Sequence, residues 1–171
     1  MSDNCDAGKG CKSYLHNKMN QDIFVDLYKK IDAFSENLQG DKLKETFKKC
    51  FFNTIESTLF FEPDDSAFII TGDIPAMWLR DSAAQVMQYL YFLDDENVRK
   101  LIKGVIKKQM SFIVRDTYAN AFMKDVYQIS EWDGQYLTDR WGKLTWERKF
   151  ELDSLCYPLF LYHTQPKFYL C

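Results

Sequence analysis

Apolar residues recur at helical spacing in two neighbouring segments near the start of the chain. Between residues 21 and 39 they are Ile23, Phe24, Leu27, Ile31, Phe34 and Leu38. Gly40 is a plausible helix terminator. A second stripe follows from Asp41 and comprises Leu43, Phe47, Cys50, Phe51, Ile55 and Leu59. Spacing of three and four residues is typical of helices with one buried face. The pattern therefore predicts two helices joined by a short link, an αα-hairpin.

The middle of the chain predicts a short extended run and two more helices. Residues 62–66 read as a polar turn around a proline, and the apolar run 67–70 could be extended. A helix is predicted from Pro75 to about Leu93. The next begins at the acidic residues 94–96, which suit a helix N-terminus. Its apolar stripe is Val98, Leu101, Ile102, Val105, Ile106, Met110 and Ile113.

The last third of the chain opens with a region that has no helical pattern. Residues 116–145 mix tyrosines and tryptophans with acidic side chains. Long loops in compact domains are commonly functional or disordered, and this one is too aromatic for disorder. We therefore expect it to reach over a ligand site. A final helix is predicted from Trp146 to about Tyr157, where Pro158 would bend or end it.

Residues 71–85, TGDIPAMWLRDSAAQ, combine groups that suit a polar ligand. Asp73 is a good helix-capping type and Pro75 suits a first helical position. On the predicted helix Trp78, Asp81 and Gln85 are spaced i, i+3, i+7 and share one face. An aromatic plate beside hydrogen-bonding groups is what a pocket for a sugar ring needs.

A simpler interpretation of this stretch stays open. Asp73 could be only a helix cap and Trp78 only a core residue. Arg80 and Asp81 could form an ordinary surface ion pair, since paired charges are often structural.

Two carboxylates in the final predicted helix are further candidates. Trp146, Phe150, Asp153 and Tyr157 would share one helix face, which is aromatic with one carboxylate set into it. Glu151 and Asp153 would diverge on a regular helix and could not both address one small ligand. A second interpretation of Asp153, a buried carboxylate tied to an arginine, is equally open.

Composition narrows the classes of protein. The 171 residues are enough for one domain with a sizeable core, and 46% are hydrophobic and 16% aromatic. The net charge of −3, with no basic stripe, argues against a nucleic-acid partner. Few glycines and prolines favour an all-α fold. The five cysteines lack zinc-like spacing, the N-terminus resembles no signal peptide, and no run is long enough for a membrane span. We expect a cytoplasmic protein that does not act on a membrane and holds no metal or cofactor.

The motifs that are missing leave acidic residues as the plausible chemistry. The chain has no glycine-rich phosphate loop, no Gly-x-Ser-x-Gly elbow and no His-Glu-x-x-His helix. Paired carboxylates at a polar, aromatic site suggest glycoside hydrolysis.

Three segments resemble family 125 of the glycoside hydrolases, the metal-independent exo-α-mannosidases. They are Thr71 to Ser82 (TGDIPAMWLRDS), Tyr118 to Phe122 (YANAF) and Trp146 to Pro158 (WERKFELDSLCYP). The first and third are long and specific. The resemblance covers roughly Ile23 to Leu161.

The resemblance implies an (α/α)6 barrel of helical hairpins that removes terminal α-1,6-linked mannose from oligosaccharides or glycans with inversion. In such a reaction one carboxylic acid protonates the leaving oxygen and one carboxylate activates water. The segments present would supply the floor of the mannose subsite. Its residues would be Asp73, Trp78, Arg80, Asp81, Glu151 and Asp153.

The chain also departs from the family's pattern. The family's general acid lies in an Arg-Pro-Ser-Asp-Asp segment and its general base is a later glutamate, and neither segment occurs here. We therefore expect no catalytic carboxylate before Cys171. The polar composition of residues 1–20 predicts a flexible tail. The resemblance implies the N-terminal part of an incomplete barrel over 21–161 and a divergent tail over 162–171.

Two other functions remain open. The chain could be a non-catalytic fragment or carbohydrate-binding helical module, or part of a six-hairpin glucosidase.

Overall fold

A computed structural model describes residues 20–72, 74–124 and 144–164. The chain divides after Thr58 into two compact units. The first is a helical hairpin, and the second combines short strands with three helices.

The first unit contains helices α1 (Val25–Ser35) and α2 (Asp41–Asn53). Gly40 makes the link between them and has a φ of 91°, a conformation that glycine adopts without strain. Tyr28 stacks on Phe52 with ring centroids 3.8 Å apart, which joins the two helices. The predicted hairpin is therefore confirmed. Its second helix ends earlier than expected, because Thr54–Thr58 form a π-helical turn.

The second unit begins with two antiparallel strands, β1 (Leu59–Phe61) and β2 (Ala67–Ile69). β2 confirms the extended run expected at residues 67–70. A second sheet has three antiparallel strands in the order β3 (Ala76–Trp78), β4 (Ala121–Met123) and β5 (Thr145–Glu147).

The helices of this unit are α3 (Leu79–Val86), α4 (Glu96–Arg115) and α5 (Leu152–Thr164), and a 3₁₀ segment (Met87–Phe92) follows α3. The start of α4 confirms the prediction, because the Asp95 side chain accepts hydrogen bonds from the backbone N–H groups of Asn97 and Val98. Most of the predicted stripe on α4 is buried, from Val98 to Ile106.

The predicted helix at Pro75 was wrong in its first turn. Residues 76–78 pair instead with 123–121 of β4, so the helix begins at Leu79 and Pro75 precedes a strand. Here the long-range pairing with β4 outweighs the local helix propensity of these residues. The consequence is that Trp78 ends a strand and does not share a helix face with Asp81 and Gln85.

The predicted helix from Trp146 to Tyr157 was also wrong. Trp146 lies in β5, paired with β4, and α5 begins only at Leu152. α5 passes through Pro158 and ends at Thr164. Pro158 is buried on the same side as Ser154 and Leu161, and this packing offsets the hydrogen bond that its missing N–H cannot make.

The fold is helix-rich, as expected, but it contains more strand than the pattern predicted. Its completion into an (α/α)6 barrel stays a prediction, as do the proposed domain boundaries. Residues 1–19 and 165–171 lie outside the described residues, as do 125–143 of the expected ligand-site loop. Tyr162 to Thr164, assigned to a divergent tail, are the last turn of α5.

Candidate functional site

Arg80 lies at the centre of a cluster of three carboxylates. Its Nη1 atom is 2.9 Å from Oδ2 of Asp153 and 3.3 Å from Oε2 of Glu151. Its Nη2 atom is 3.5 Å from Oδ2 of the neighbouring Asp81. One positive charge thus faces three negative charges, so the cluster keeps an excess of hydrogen-bond acceptors.

Two helix starts bring these charges together. Arg80 and Asp81 lie in the first turn of α3, Glu151 immediately precedes α5, and Asp153 lies in its first turn. Acidic side chains are stabilised at helix N-termini, where the backbone N–H groups are unpaired. The packing of α3 against α5 places the guanidinium between the carboxylates.

The prediction that Glu151 and Asp153 would diverge was wrong for a structural reason. They would diverge on one regular helix, but α5 starts between them. Both therefore reach the same nitrogen of Arg80. The interpretation of Asp153 as a carboxylate tied to an arginine is confirmed in its pairing, although its side chain is 47% exposed rather than buried.

The electrostatics of the pair follow from this contact. The hydrogen bond from Arg80, together with its charge, holds the pKa of Asp153 below its usual range. The same hydrogen bond raises the pKa of Arg80, although burial opposes the shift. Asp153 is therefore a firmly ionised carboxylate near neutral pH.

The cluster is open enough to meet a ligand. The side chains of Arg80, Asp81 and Glu151 are 37%, 33% and 29% exposed. Solvent-accessible carboxylates and a guanidinium can exchange hydrogen bonds with a polyhydroxylated molecule, because hydroxyl groups both donate and accept.

Trp78, two residues before Arg80 in the chain, is held by its own hydrogen bond. Its indole Nε1 donates to Oε2 of Glu147 over 3.2 Å, and the same oxygen accepts from Nδ2 of Asn120 over 2.7 Å. The Trp78 ring meets Trp146 in an edge-to-face contact at 6.5 Å. The half-buried indole is thus fixed in orientation.

The structure brings four predicted site residues together and places the others differently. Arg80, Asp81, Glu151 and Asp153 form the cluster, and Trp78 lies two residues before Arg80 in the chain. Asp73 lies outside the described residues. Gln85 turns elsewhere, since its Nε2 donates to the carbonyl of Ile70.

Glu147 and Asn120 are the residues that sequence reasoning missed as part of this site. Both stood in the motifs that carry the family resemblance, but Glu147 was placed on a helix face and Asn120 in a loop. The available signal was the Thr145-Trp146-Glu147 run, in which threonine and tryptophan favour a strand.

Two features are absent from the described part of the chain. No helix in it combines the length and apolarity needed to cross a membrane. No group of three His, Cys, Asp or Glu side chains in these ranges could hold a metal ion.

A family comparison and a solved structure point to one family. The model of the metal-independent alpha-mannosidases, glycoside hydrolase family 125, matches residues 40–167. The chain is 33% identical over 144 residues to the meiotically up-regulated gene 157 protein of Schizosaccharomyces pombe. That match covers 78% of this chain and 28% of the relative.

A solved structure supports the same family assignment. A metal-independent alpha-mannosidase from Streptococcus pneumoniae, in a non-productive substrate complex with α-1,6-mannobiose, matches with 36% identity and a TM-score of 0.67. The match covers 82% of this chain and 32% of that one. The chain therefore spans about a third or less of the length of both relatives. The family model matches residues 40–167, which is most of this chain. The chain therefore belongs to family 125 of the glycoside hydrolases, the metal-independent α-mannosidases.

Proposed function

We propose that this chain forms the mannose-binding part of an inverting glycoside hydrolase that removes terminal α-1,6-linked mannose from oligosaccharides or glycans. The observation that carries the proposal is the Arg80 cluster, with the oriented Trp78 indole two residues before Arg80 in the chain. Family membership supports mannose, and the mannobiose complex of the Streptococcus pneumoniae relative supports the α-1,6 linkage.

The chemistry of the cluster suits a sugar. Carboxylates of Asp81, Glu151 and Asp153 accept hydrogen bonds from sugar hydroxyls, and hydrogen bonds to charged groups are the strong ones. The Arg80 guanidinium donates to a hydroxyl oxygen while it also pairs with the Asp153 carboxylate. The Trp78 indole supplies an apolar wall for the C–H groups of the ring.

These carboxylates are binding groups rather than the general acid. A general acid must hold a proton near the working pH, which requires a raised pKa. Arg80 lowers the pKa of Asp153, which is the opposite shift. The same guanidinium also contacts Glu151. We therefore do not assign the general acid to Asp153. Following the family's pattern, we place the general acid in the Arg-Pro-Ser-Asp-Asp segment and the general base at the later glutamate, neither of which occurs in these 171 residues, with their carboxyl groups separated by roughly 6.5–9.5 Å to admit water.

Sugar selectivity tests the proposal. The chain is titrated with α-1,6-mannobiose and with the corresponding α-1,6-linked glucose disaccharide, and binding is followed by ligand-observed NMR. Measurements use a concentration at which light scattering shows a monomer. We expect binding of the mannoside in preference to the glucoside, and loss of that binding in Arg80→Ala. Lys29→Ala, which removes an exposed ion pair in the first unit, is the control.

The same titration separates the alternatives. Preferential binding of the glucose disaccharide would favour a six-hairpin glucosidase. Mannoside binding without hydrolysis is expected of this chain alone. A continuing reading frame downstream of codon 171 that encodes the acid and base segments would favour the enzyme, and its absence would favour a non-catalytic carbohydrate-binding fragment.

A further inference from the structure

Asn120 joins the two chain segments that carry the candidate site. Its carbonyl accepts a hydrogen bond from the backbone N–H of Leu79, the first residue of α3, at 3.0 Å. Its own N–H donates to the carbonyl of Glu147 at 3.1 Å. Its side chain donates to the Glu147 carboxylate and accepts from the backbone N–H of Lys149 at 3.3 Å. The residue itself is 1% exposed, while its side-chain bonds to Glu147 and Lys149 are partly buried.

The Glu147 carboxylate extends this link to the aromatic wall. Its Oε2 atom takes two donors, one from Asn120 and one from the indole of Trp78, 69 residues away in the chain. A hydrogen bond donated by the indole N–H fixes the plane of a ring that packing against Trp146 alone would leave free to tilt.

The segment that follows Glu147 alternates between two sides. Arg148 pairs with the buried Asp116, its Nε 3.1 Å from Oδ2, and Phe150 meets the ring of Tyr118 at 5.9 Å. Glu147 and Glu151 instead contact Trp78 and Arg80. This is the two-residue period of an extended chain. Anchoring Glu147 therefore helps to set where Glu151 points.

We propose that Glu147 and Asn120 are positioning residues of the sugar site, which hold the Trp78 indole and the Glu147–Glu151 segment in register with α3. Glu147 acts as a hydrogen-bond acceptor for two donors, the buried Asn120 and the half-buried Trp78, and it neither touches the sugar nor exchanges a proton with it. The inference rests on the proposed function for its ligand, but the geometry it assigns exists without ligand.

Paired substitutions at Glu147 test the assignment. Glu147→Gln keeps an oxygen that can accept from both donors, whereas Glu147→Ala removes it. Asn120→Asp places a second carboxylate against Glu147 and removes the donor. Glu96→Ala removes an exposed carboxylate that forms an ion pair with Lys100, one helical turn later, and serves as the matched control.

Two readouts are taken on each variant of the full chain. The first is hydrogen exchange of the Trp78 indole N–H, assigned by its disappearance in Trp78→Phe. The second is the affinity for α-1,6-mannobiose. We expect faster indole exchange and about tenfold weaker binding in Glu147→Ala and Asn120→Asp, because each loses one or two hydrogen bonds. Glu147→Gln should stay within about threefold of the wild type in both, since it retains the acceptor.

Three results would overturn the assignment. Equal losses of affinity in Glu147→Gln and Glu147→Ala would mean that the charge itself contacts the sugar or reacts. Unchanged indole exchange in a folded Glu147→Ala would mean that Trp78 is held by other contacts. Unchanged exchange of the Trp78 indole N–H in folded Asn120→Asp would mean that Asn120 does not position the indole. If the wild type binds no mannobiose, the proposed function fails, while the exchange measurements still decide the positioning role.

Discussion

Arg80 is the residue on which the geometry of the site depends most. Its guanidinium meets carboxylates from its own helix and from the start of α5. Without Arg80, the three carboxylates would lie close together and would lose the ion pairs that they form with its guanidinium. Their mutual repulsion would open the α3–α5 contact at the place where a ligand would bind.

Removing this guanidinium gives the first prediction. We expect Arg80→Ala to lower the free energy of unfolding by about 1 kcal/mol, because the partners are a third to a half exposed and solvent screens them. Chemical denaturation measures the change. Lys29→Ala should stay within about 0.5 kcal/mol of the wild type. Equal effects of the two substitutions would contradict a special role for Arg80.

Asp153 gives a pH dependence with a definite sign. Its pKa is lower in the folded protein than in the unfolded chain, so its pairing with Arg80 favours folding above the unfolded value of about 3.9. That contribution is lost as the pH falls through the lowered folded pKa. We therefore expect Asp153→Asn to be less stable than the wild type at pH 7 and the gap to close at acidic pH. Unfolding curves between pH 7 and pH 2.5 measure it, and a gap that widens on acidification would contradict the pairing.

The sequence indicated the site residues better than it indicated their geometry. Arg80, Asp81, Glu151 and Asp153 stood out because charged residues interrupt apolar, aromatic segments. Their convergence could not be read from helical periodicity, because that reading extended helices across β3 and β5. Glu147 was missed for the same reason.

At the scale of elements, helices were predicted well where one apolar face meets the core. α2 and α4 begin where the Gly40–Asp41 and Asp95–Glu96 signals placed them. Among the three-residue strands only β2 was predicted. β3 and β5 were missed because both pair with β4, which is distant from each of them in the chain, and such pairing leaves little local signal. β1 was missed because Leu59 fitted the apolar stripe of the preceding helix.

The packing of β2 on α4 depends on Gly104. A Cβ atom at this position would lie 3.0 Å from both the Cβ and the backbone nitrogen of Ala67, and 3.1 Å from the carbonyl oxygen of Asp65. Lys108 of the same helix forms an ion pair with Glu62 beside this contact. The absent side chain thus allows a strand to approach the helix closely.

Filling this space gives the element-scale prediction. Gly104→Ala should gain about 1 kcal/mol of helix propensity and still lower the stability by about 1–3 kcal/mol overall, because backbone must move to admit the methyl group. Thermal unfolding measures it. Val114→Ala, at an exposed position of the same helix, is the control and should change little. A stabilised Gly104→Ala protein would show that β2 can move away without cost.

At the scale of the whole molecule, α5 carries an unusual apolar surface. Leu152, Leu159, Phe160 and Tyr162 are each about half or more exposed in the described part of the chain, while Ser154, Pro158 and Leu161 form its buried stripe. Large exposed apolar patches promote association.

The location in the cytoplasm inferred from composition stays a prediction.

This surface predicts that the chain on its own self-associates or is unstable. Light scattering coupled to gel filtration should show species larger than a monomer as the concentration rises through the micromolar range. Phe160→Glu combined with Leu159→Lys should reduce the association. A monomer with a sharp, cooperative thermal transition in the wild type would contradict the prediction.

Structure determination of the chain with α-1,6-mannobiose tests the central claim most directly. We expect a terminal mannose with hydroxyl groups within hydrogen-bond distance of Arg80, Asp81 and Asp153, and with one ring face against Trp78. A disaccharide bound on another surface, with the Arg80 cluster unchanged and unoccupied, would contradict it.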